Sequence, residues 1–151
     1  MLAPGVVAVL VPWAITRWNA GGVSPWPLRV VGFALLAAGT LVLLSAFVRF
    51  VTEGFGTPAP IAPTQRLVVG GLYRYVRNPM YLAVLAIIVG QAIVLRRPIL
   101  LGYAALVALA FLAFVRGYEE PTLRRRFGDE YVAYRSAVPG WWPRLHPWEP
   151  R

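Results

Sequence analysis

The stretch MYLAVLAIIVGQAIVLRRPILLGYAALVALAFLAFV, Met80 to Val115, decides the fold. It holds two uncharged apolar runs, Met80 to Leu95 and Ile99 to Val115, joined only by Arg96-Arg97-Pro98. A helix rises ~1.5 Å per residue, so ~20 apolar residues cross a ~30 Å hydrocarbon layer, and each run approaches that length. So short a connection makes the two runs antiparallel neighbours. Upstream, Val30 to Val48 is uncharged between Arg29 and Arg49. Its Gly32, Ala37, Ala38, Gly39 and Ser45 are the small residues that let membrane helices approach closely. Met1 to Ile15 is also uncharged and mostly apolar despite Pro4 and Pro12, and it extends to the interface residue Trp18. It reads as a retained span, since it lacks both a basic leader and a small-residue cleavage site. The expectation is an all-α integral membrane protein, one domain over residues 1–151. About four transmembrane helices are expected near 3–18, 30–48, 80–95 and 98–115. Asn19 to Pro27 reads as a turn, and Thr52 to Thr64 as an extended, proline-bearing loop.

Composition supports this reading. The chain of 151 residues is 58% hydrophobic and 14% charged, against roughly 25% charged in an ordinary soluble domain. Every basic residue is Arg, and the net charge is +9. The arginines stand at the ends of apolar runs, which points to orientation and anionic headgroups and away from nucleic acid. With no Cys and a single His, His146, thiolate or histidine metal sites and a His-based triad are excluded in practice. Four spans would put eleven arginines on the face carrying both termini and the central loop, and four (Arg17, Arg29, Arg96, Arg97) on the other. The positive-inside rule then places both termini in the cytoplasm, in a cell inner membrane.

Two polar stretches flank the decisive hairpin. Before it lies QRLVVGGLYRYVRNPMY, Gln65 to Tyr81. Asn78-Pro79 reads as a helix start, where free N–H groups and partial positive charge suit a carboxylate or phosphate, and Arg77 stands just before it. Tyr73, Tyr75 and Tyr81 supply flat faces with hydroxyls. Alone, this stretch reads more simply as an interfacial belt of Tyr and Arg. After the hairpin, Arg116 to Trp142 carries Glu119-Glu120 at the membrane exit. Arg116 and Glu120 are four apart, on one helix face, and read most simply as a solvated pair worth at most ~1 kcal/mol. From Pro121 the spacing of Leu123, Phe127, Tyr131 and Tyr134 predicts an amphipathic helix on the cytoplasmic membrane surface, and Arg124-Arg125-Arg126 reads as attraction to anionic lipid.

Together GLYRYVRNPMY (Gly71 to Tyr81), the Glu119-Glu120 pair and LRRRFGDEYVAYRSAVP (Leu123 to Pro139) resemble the isoprenylcysteine carboxyl methyltransferase family and its relatives, the phospholipid methyltransferases. Rare positions agree at fixed spacing across two separated blocks. The resemblance covers about the C-terminal 90 residues. It implies an integral membrane enzyme that moves a methyl group from S-adenosylmethionine to a lipid-like acceptor. It implicates Gln65, Arg66, Leu67, Val68, Tyr73, Asn78, Pro79, Met80, Tyr81 and Glu120 in holding the cofactor, and Arg116 in facing the acceptor. Asn78 departs from the family's usual His; it can hydrogen-bond but cannot change charge near neutral pH.

The chemistry agrees in outline. Arg77 and the helix start suit the cofactor carboxylate, Glu120 its ammonium or ribose hydroxyls, and the tyrosines its adenine or sulfonium. An acceptor carboxylate, as on a prenylated cysteine, needs only orienting by Arg116. A phospholipid amine would need a base, for which Glu119 is nearest, and a small thiol is a further alternative. No metal or nucleic-acid partner is expected. The rival from another class is a non-enzymatic scaffold that binds anionic membrane lipids through its arginines.

Overall fold

The computed structural model describes residues 2–54 and 66–149. Its regular elements are all helical: α1 (Leu2–Gly5), a π-turn (Val6–Leu10), α2 (Val11–Thr16), α3 (Trp26–Gly54), a 3₁₀ turn (Gly71–Arg74), α4 (Pro79–Leu95), α5 (Ile99–Phe114), a second π-turn (Val115–Glu119) and α6 (Glu120–Ala137). No strand occurs among the described residues. Two helical stretches, Trp26–Arg49 and Ile99–Ala137, are long and apolar enough to cross a membrane; Val6–Thr16 and Pro79–Leu95 are shorter apolar helices. Their flanks expose large apolar side chains, Phe33, Leu41 and Leu44 on α3 and Leu106 and Leu109 on α5.

The chain divides into two compact units. The first comprises Met1–Leu41 and Tyr81–Phe111. Here α3 and α4 touch backbone to backbone. A Cβ on Gly39 would stand 2.8 Å from Ile87 Cγ1 and 3.0 Å from the Ala83 carbonyl, and one on Gly90 would stand 2.9 Å from the Gly32 carbonyl. The small residues of α3 therefore permit the approach expected of membrane helices. The hairpin between α4 and α5 closes with Arg96 in the left-handed region, φ 49°. Its arginines tie down the 19–25 turn: Arg96 Nη1 donates to the Val23 carbonyl at 3.0 Å, and Arg97 Nε to that of Asn19 at 2.8 Å. In the first π-turn the wider spacing frees carbonyls, and polar side chains take them up: Gln91 Nε2 donates to Ala8 O at 2.7 Å and the Tyr103 hydroxyl to Val7 O at 2.9 Å.

The second unit comprises Val42–Met80 and Leu112–Arg151. Ala46 of α3 packs with Val68 and Tyr73, and Met80 covers them. Tyr131, Tyr134 and Val138 form a second core with Leu67, Val69, Leu123, Phe127 and Trp148 around it.

Four expectations change. Thr52 begins no loop, because α3 continues to Gly54; apart from Thr52–Gly54, the expected loop lies outside the described residues. Pro121 starts no separate helix: the π-turn carries α5 directly into α6, with Glu119 and Glu120 both in helical conformation. The tail helix does not lay its apolar face on a membrane surface. It breaks at Gly128 (φ 53°, ψ −126°), and Leu123, Phe127, Tyr131 and Tyr134 pack against the chain itself. Finally, Glu120 does not pair with Arg116, because other arginines take both of its oxygens.

Candidate active site

The site is built where the polar block before α4 meets the tail after α6, inside the second unit. Backbone bonds clasp the two segments. Arg77 N–H donates to the Pro139 carbonyl at 3.0 Å, Arg144 N–H to Tyr75 at 2.9 Å and Trp148 N–H to Arg74 at 3.0 Å. The buried Tyr134 hydroxyl donates to the Tyr73 carbonyl at 2.7 Å. Gly71 sits at φ +56°, a conformation that suits glycine, and a Cβ there would stand 2.9 Å from Arg49 Nε.

Arg77 is the centre of the clasp. Its Nη1 donates to Glu120 Oε1 at 2.9 Å and to the Tyr131 hydroxyl at 3.1 Å, and its Nε donates to the Val138 carbonyl at 2.9 Å. Both partners of the Arg77–Glu120 ion pair are mostly withdrawn from water, each side chain 14% exposed. The second oxygen of Glu120 meets Arg135 Nη2 at 3.0 Å, and that arginine is half exposed. One carboxylate thus bridges a mostly shielded guanidinium and a half-exposed one. Burial raises the Tyr131 phenol above its ordinary value; Arg77 lowers it and Glu120 raises it as smaller effects. Burial likewise pushes the Tyr134 phenol up. Both hydroxyls stay neutral through the physiological range, Tyr131 accepting from Arg77 and Tyr134 donating to the Tyr73 carbonyl.

Asn78 is 6% exposed, and its Nδ2 is buried with no hydrogen-bond acceptor among the described residues. Beside it, a Cβ on Gly140 would stand 3.4 Å from Asn78 Nδ2 and 3.2 Å from Arg77 Nη2. Two donors therefore lie side by side at the start of α4, packed closely under the backbone of Gly140. A buried donor left unpaired costs ~1–3 kcal/mol, which an anionic acceptor reaching both would recover. Such an arrangement fits a ligand carboxylate beside Arg77 and Asn78 and a ligand cation beside Glu120.

The remaining site residues fall as follows. Gln65 lies outside the described residues. Arg66 is exposed. Leu67 and Val68 serve in the two cores, and Pro79 is buried at the start of α4. Met80 packs over Tyr73 and Val68. Tyr81 belongs to the first unit, where its ring lies 4.6 Å from that of Phe111. Glu119 is half-buried and Arg116 exposed, both in the π-turn. Gly140, Tyr131 and Arg135 were not singled out as site residues from the sequence. Gly140 stands one residue beyond the Val-Pro step that closes the second block, a place where only tertiary contact reveals a need for glycine. Among the described residues, no group of three or more His, Asp or Glu could hold a metal ion.

Residues 28–130 match the model of a family described as phospholipid methyltransferase. The chain is also similar to protein-S-isoprenylcysteine O-methyltransferase B of Arabidopsis thaliana, 38% identical over 74 residues. That match takes in 49% of this chain and covers only 38% of the relative's length.

Proposed function

The chain belongs to the phospholipid methyltransferase family, and from that premise we propose that it transfers a methyl group from S-adenosylmethionine to a hydrophobic acceptor at the membrane. An isoprenylcysteine-type carboxylate is the favoured acceptor, in keeping with the name of the Arabidopsis relative. The observation that carries this reading is the Arg77–Glu120 pair beside the unpartnered Asn78 amide. The amino-acid end of the donor is a zwitterion, and the cluster offers a complementary set of charges. Arg77 Nη2, Asn78 Nδ2 and the positive end of the α4 dipole receive the carboxylate. Glu120 receives the ammonium, with half-exposed Arg135 as the partner that gives way. Asn78 acts by donating a hydrogen bond, so no proton is gained or lost at that position. Gln65 to Val68, Tyr73, Met80 and Tyr81 complete the cofactor-holding set by family resemblance.

When bound, S-adenosylmethionine supplies an electrophilic methyl on a positively charged sulfur. The chain's own residues then have little covalent work. Arg116, exposed where α5 leaves its apolar run, orients an acceptor carboxylate that is already nucleophilic. Glu119 takes a proton only where the acceptor is an amine. Alignment and exclusion of water supply most of the acceleration. The four apolar segments act as spans in an inner membrane, and the arginine excess puts both termini in the cytoplasm.

The test uses protein in nanodiscs, methyl-labelled donor, and either a prenylated cysteine with a free carboxylate or phosphatidylethanolamine. Label should enter the prenylcysteine as a base-labile ester, and Arg116→Ala should cut turnover while leaving donor affinity unchanged. Label in the phospholipid alone would replace the carboxylate acceptor with an amine.

A further inference from the structure

We propose that the tail segment Trp141 to Pro147 is a rigid wedge that seats in the anionic headgroup layer of the bilayer. Trp142 is 81% exposed and Leu145 92%, the two most exposed large apolar side chains of the second unit. They do not project from a free end. Arg144 between them is held by its backbone N–H on Tyr75 O and by Nη1 on the Ala137 carbonyl at 2.9 Å. Beyond them the Trp148 ring lies 5.4 Å from Tyr134 in the core, and Arg74 holds the Trp148 carbonyl through Nε at 2.8 Å. Anchors on both sides, with Pro143 and Pro147 stiffening the backbone, present Trp142 and Leu145 outward as a fixed pair.

The occupant follows from the unit that carries the pair. The apolar run of α3 ends at Arg49 and that of α5 at Arg116; with these runs as the spans proposed above, the hydrocarbon boundary passes through this unit. Tryptophan favours the boundary between hydrocarbon and headgroups. The same unit exposes Arg124, Arg125 and Arg126 in the first half of α6, and the packing of Leu123 and Phe127 inward leaves those cations to solvent. Apolar wedge and exposed cations together fit an anionic lipid surface, where each alone binds weakly. The wedge is continuous with the clasp: its Arg144 N–H holds the Tyr75 carbonyl, and Trp148, the residue after the wedge, holds that of Arg74. Seating therefore steadies the block that ends in Arg77 and Asn78.

The chain has no cysteine, so Leu145→Cys gives a single labelling site for an environment-sensitive nitrobenzoxadiazole dye. Because Leu145 is almost fully exposed, the substitution removes no packing, and an unchanged thermal unfolding curve verifies this. The labelled protein is placed in nanodiscs of phosphatidylcholine alone or mixed with phosphatidylglycerol, with and without nitroxide on the lipid headgroup region. The expected result is blue-shifted emission that the nitroxide quenches, more strongly in the anionic mixture. Water-like emission without quenching overturns the wedge. A blue shift without lipid quenching assigns the pair to a protein contact and overturns it too. Equal quenching in both lipids overturns the anionic part of the assignment. None of these readouts depends on methyl transfer.

Discussion

Glycine 140 separates packing from function at the level of one residue. Its missing Cβ lets the backbone pack closely on Arg77 Nη2 and Asn78 Nδ2. Gly140→Ala presses a methyl to 3.2–3.4 Å from the two donors. The fold can give by a few tenths of an ångström, but that shift moves the two donors proposed to receive the carboxylate. The variant should unfold near the wild-type temperature yet bind S-adenosylmethionine about tenfold more weakly, a loss of ~1.4 kcal/mol, read by calorimetry. Tyr134 is the contrasting case, a residue of structure. Its phenol is raised by burial, whereas an unfolded phenol titrates near ~10. Below that pH both states are neutral and the stabilisation is complete. Above it the unfolded chain ionises first, so stability falls as pH rises toward the folded value. Melting curves should therefore drop above about pH 10, and Tyr134→Phe should flatten that drop. At neutral pH the same change costs ~1 kcal/mol for the bond to the Tyr73 carbonyl.

At the level of elements, α3 and α4 depend on small residues at their crossing. Gly39→Val would drive a side chain into Ile87 and the Ala83 carbonyl and should cost ~1–3 kcal/mol through overpacking. Gly102→Ala on α5 meets nothing within 4 Å, and should leave stability unchanged or raise it by ~1 kcal/mol through helix propensity. Thermal unfolding in detergent distinguishes the two. The elements also show what the sequence could reveal. Uncharged runs, Asn78-Pro79 and the Arg96-Arg97-Pro98 hairpin mark α4 and α5 closely, because apolar length and helix starts are local properties; the run 30–48 marks only the middle of α3, which extends past its flanking arginines to Trp26 and Gly54. The tail helix was recognised, but its apolar face was sent to the wrong partner. Leu123, Phe127, Tyr131 and Tyr134 have the same spacing whether they meet lipid or Leu67 and Trp148. Arg77 was legible as a ligand for an anion. Its pairing with Glu120 was not, because the two are 43 residues apart and no spacing rule links them. The sequence instead suggested Arg116, the arginine four residues away on the same helix.

At the level of the whole molecule, hydrophobicity and charge divide the work. The apolar helices α3 and α5 expose large side chains, while the polar block and tail gather Arg77, Glu120, Tyr131 and Arg135 into one clasp. The central claim is that this clasp receives the charged end of the methyl donor. The most direct measurement is calorimetric titration of S-adenosylmethionine into purified wild type and Glu120→Gln. Glu120→Gln keeps the shape of the side chain and removes the charge that would meet the ammonium. Wild type should bind saturably, and Glu120→Gln should bind at least about tenfold more weakly, ~1.4 kcal/mol or more. Equal affinity in the two proteins, or no binding by the wild type, would contradict it.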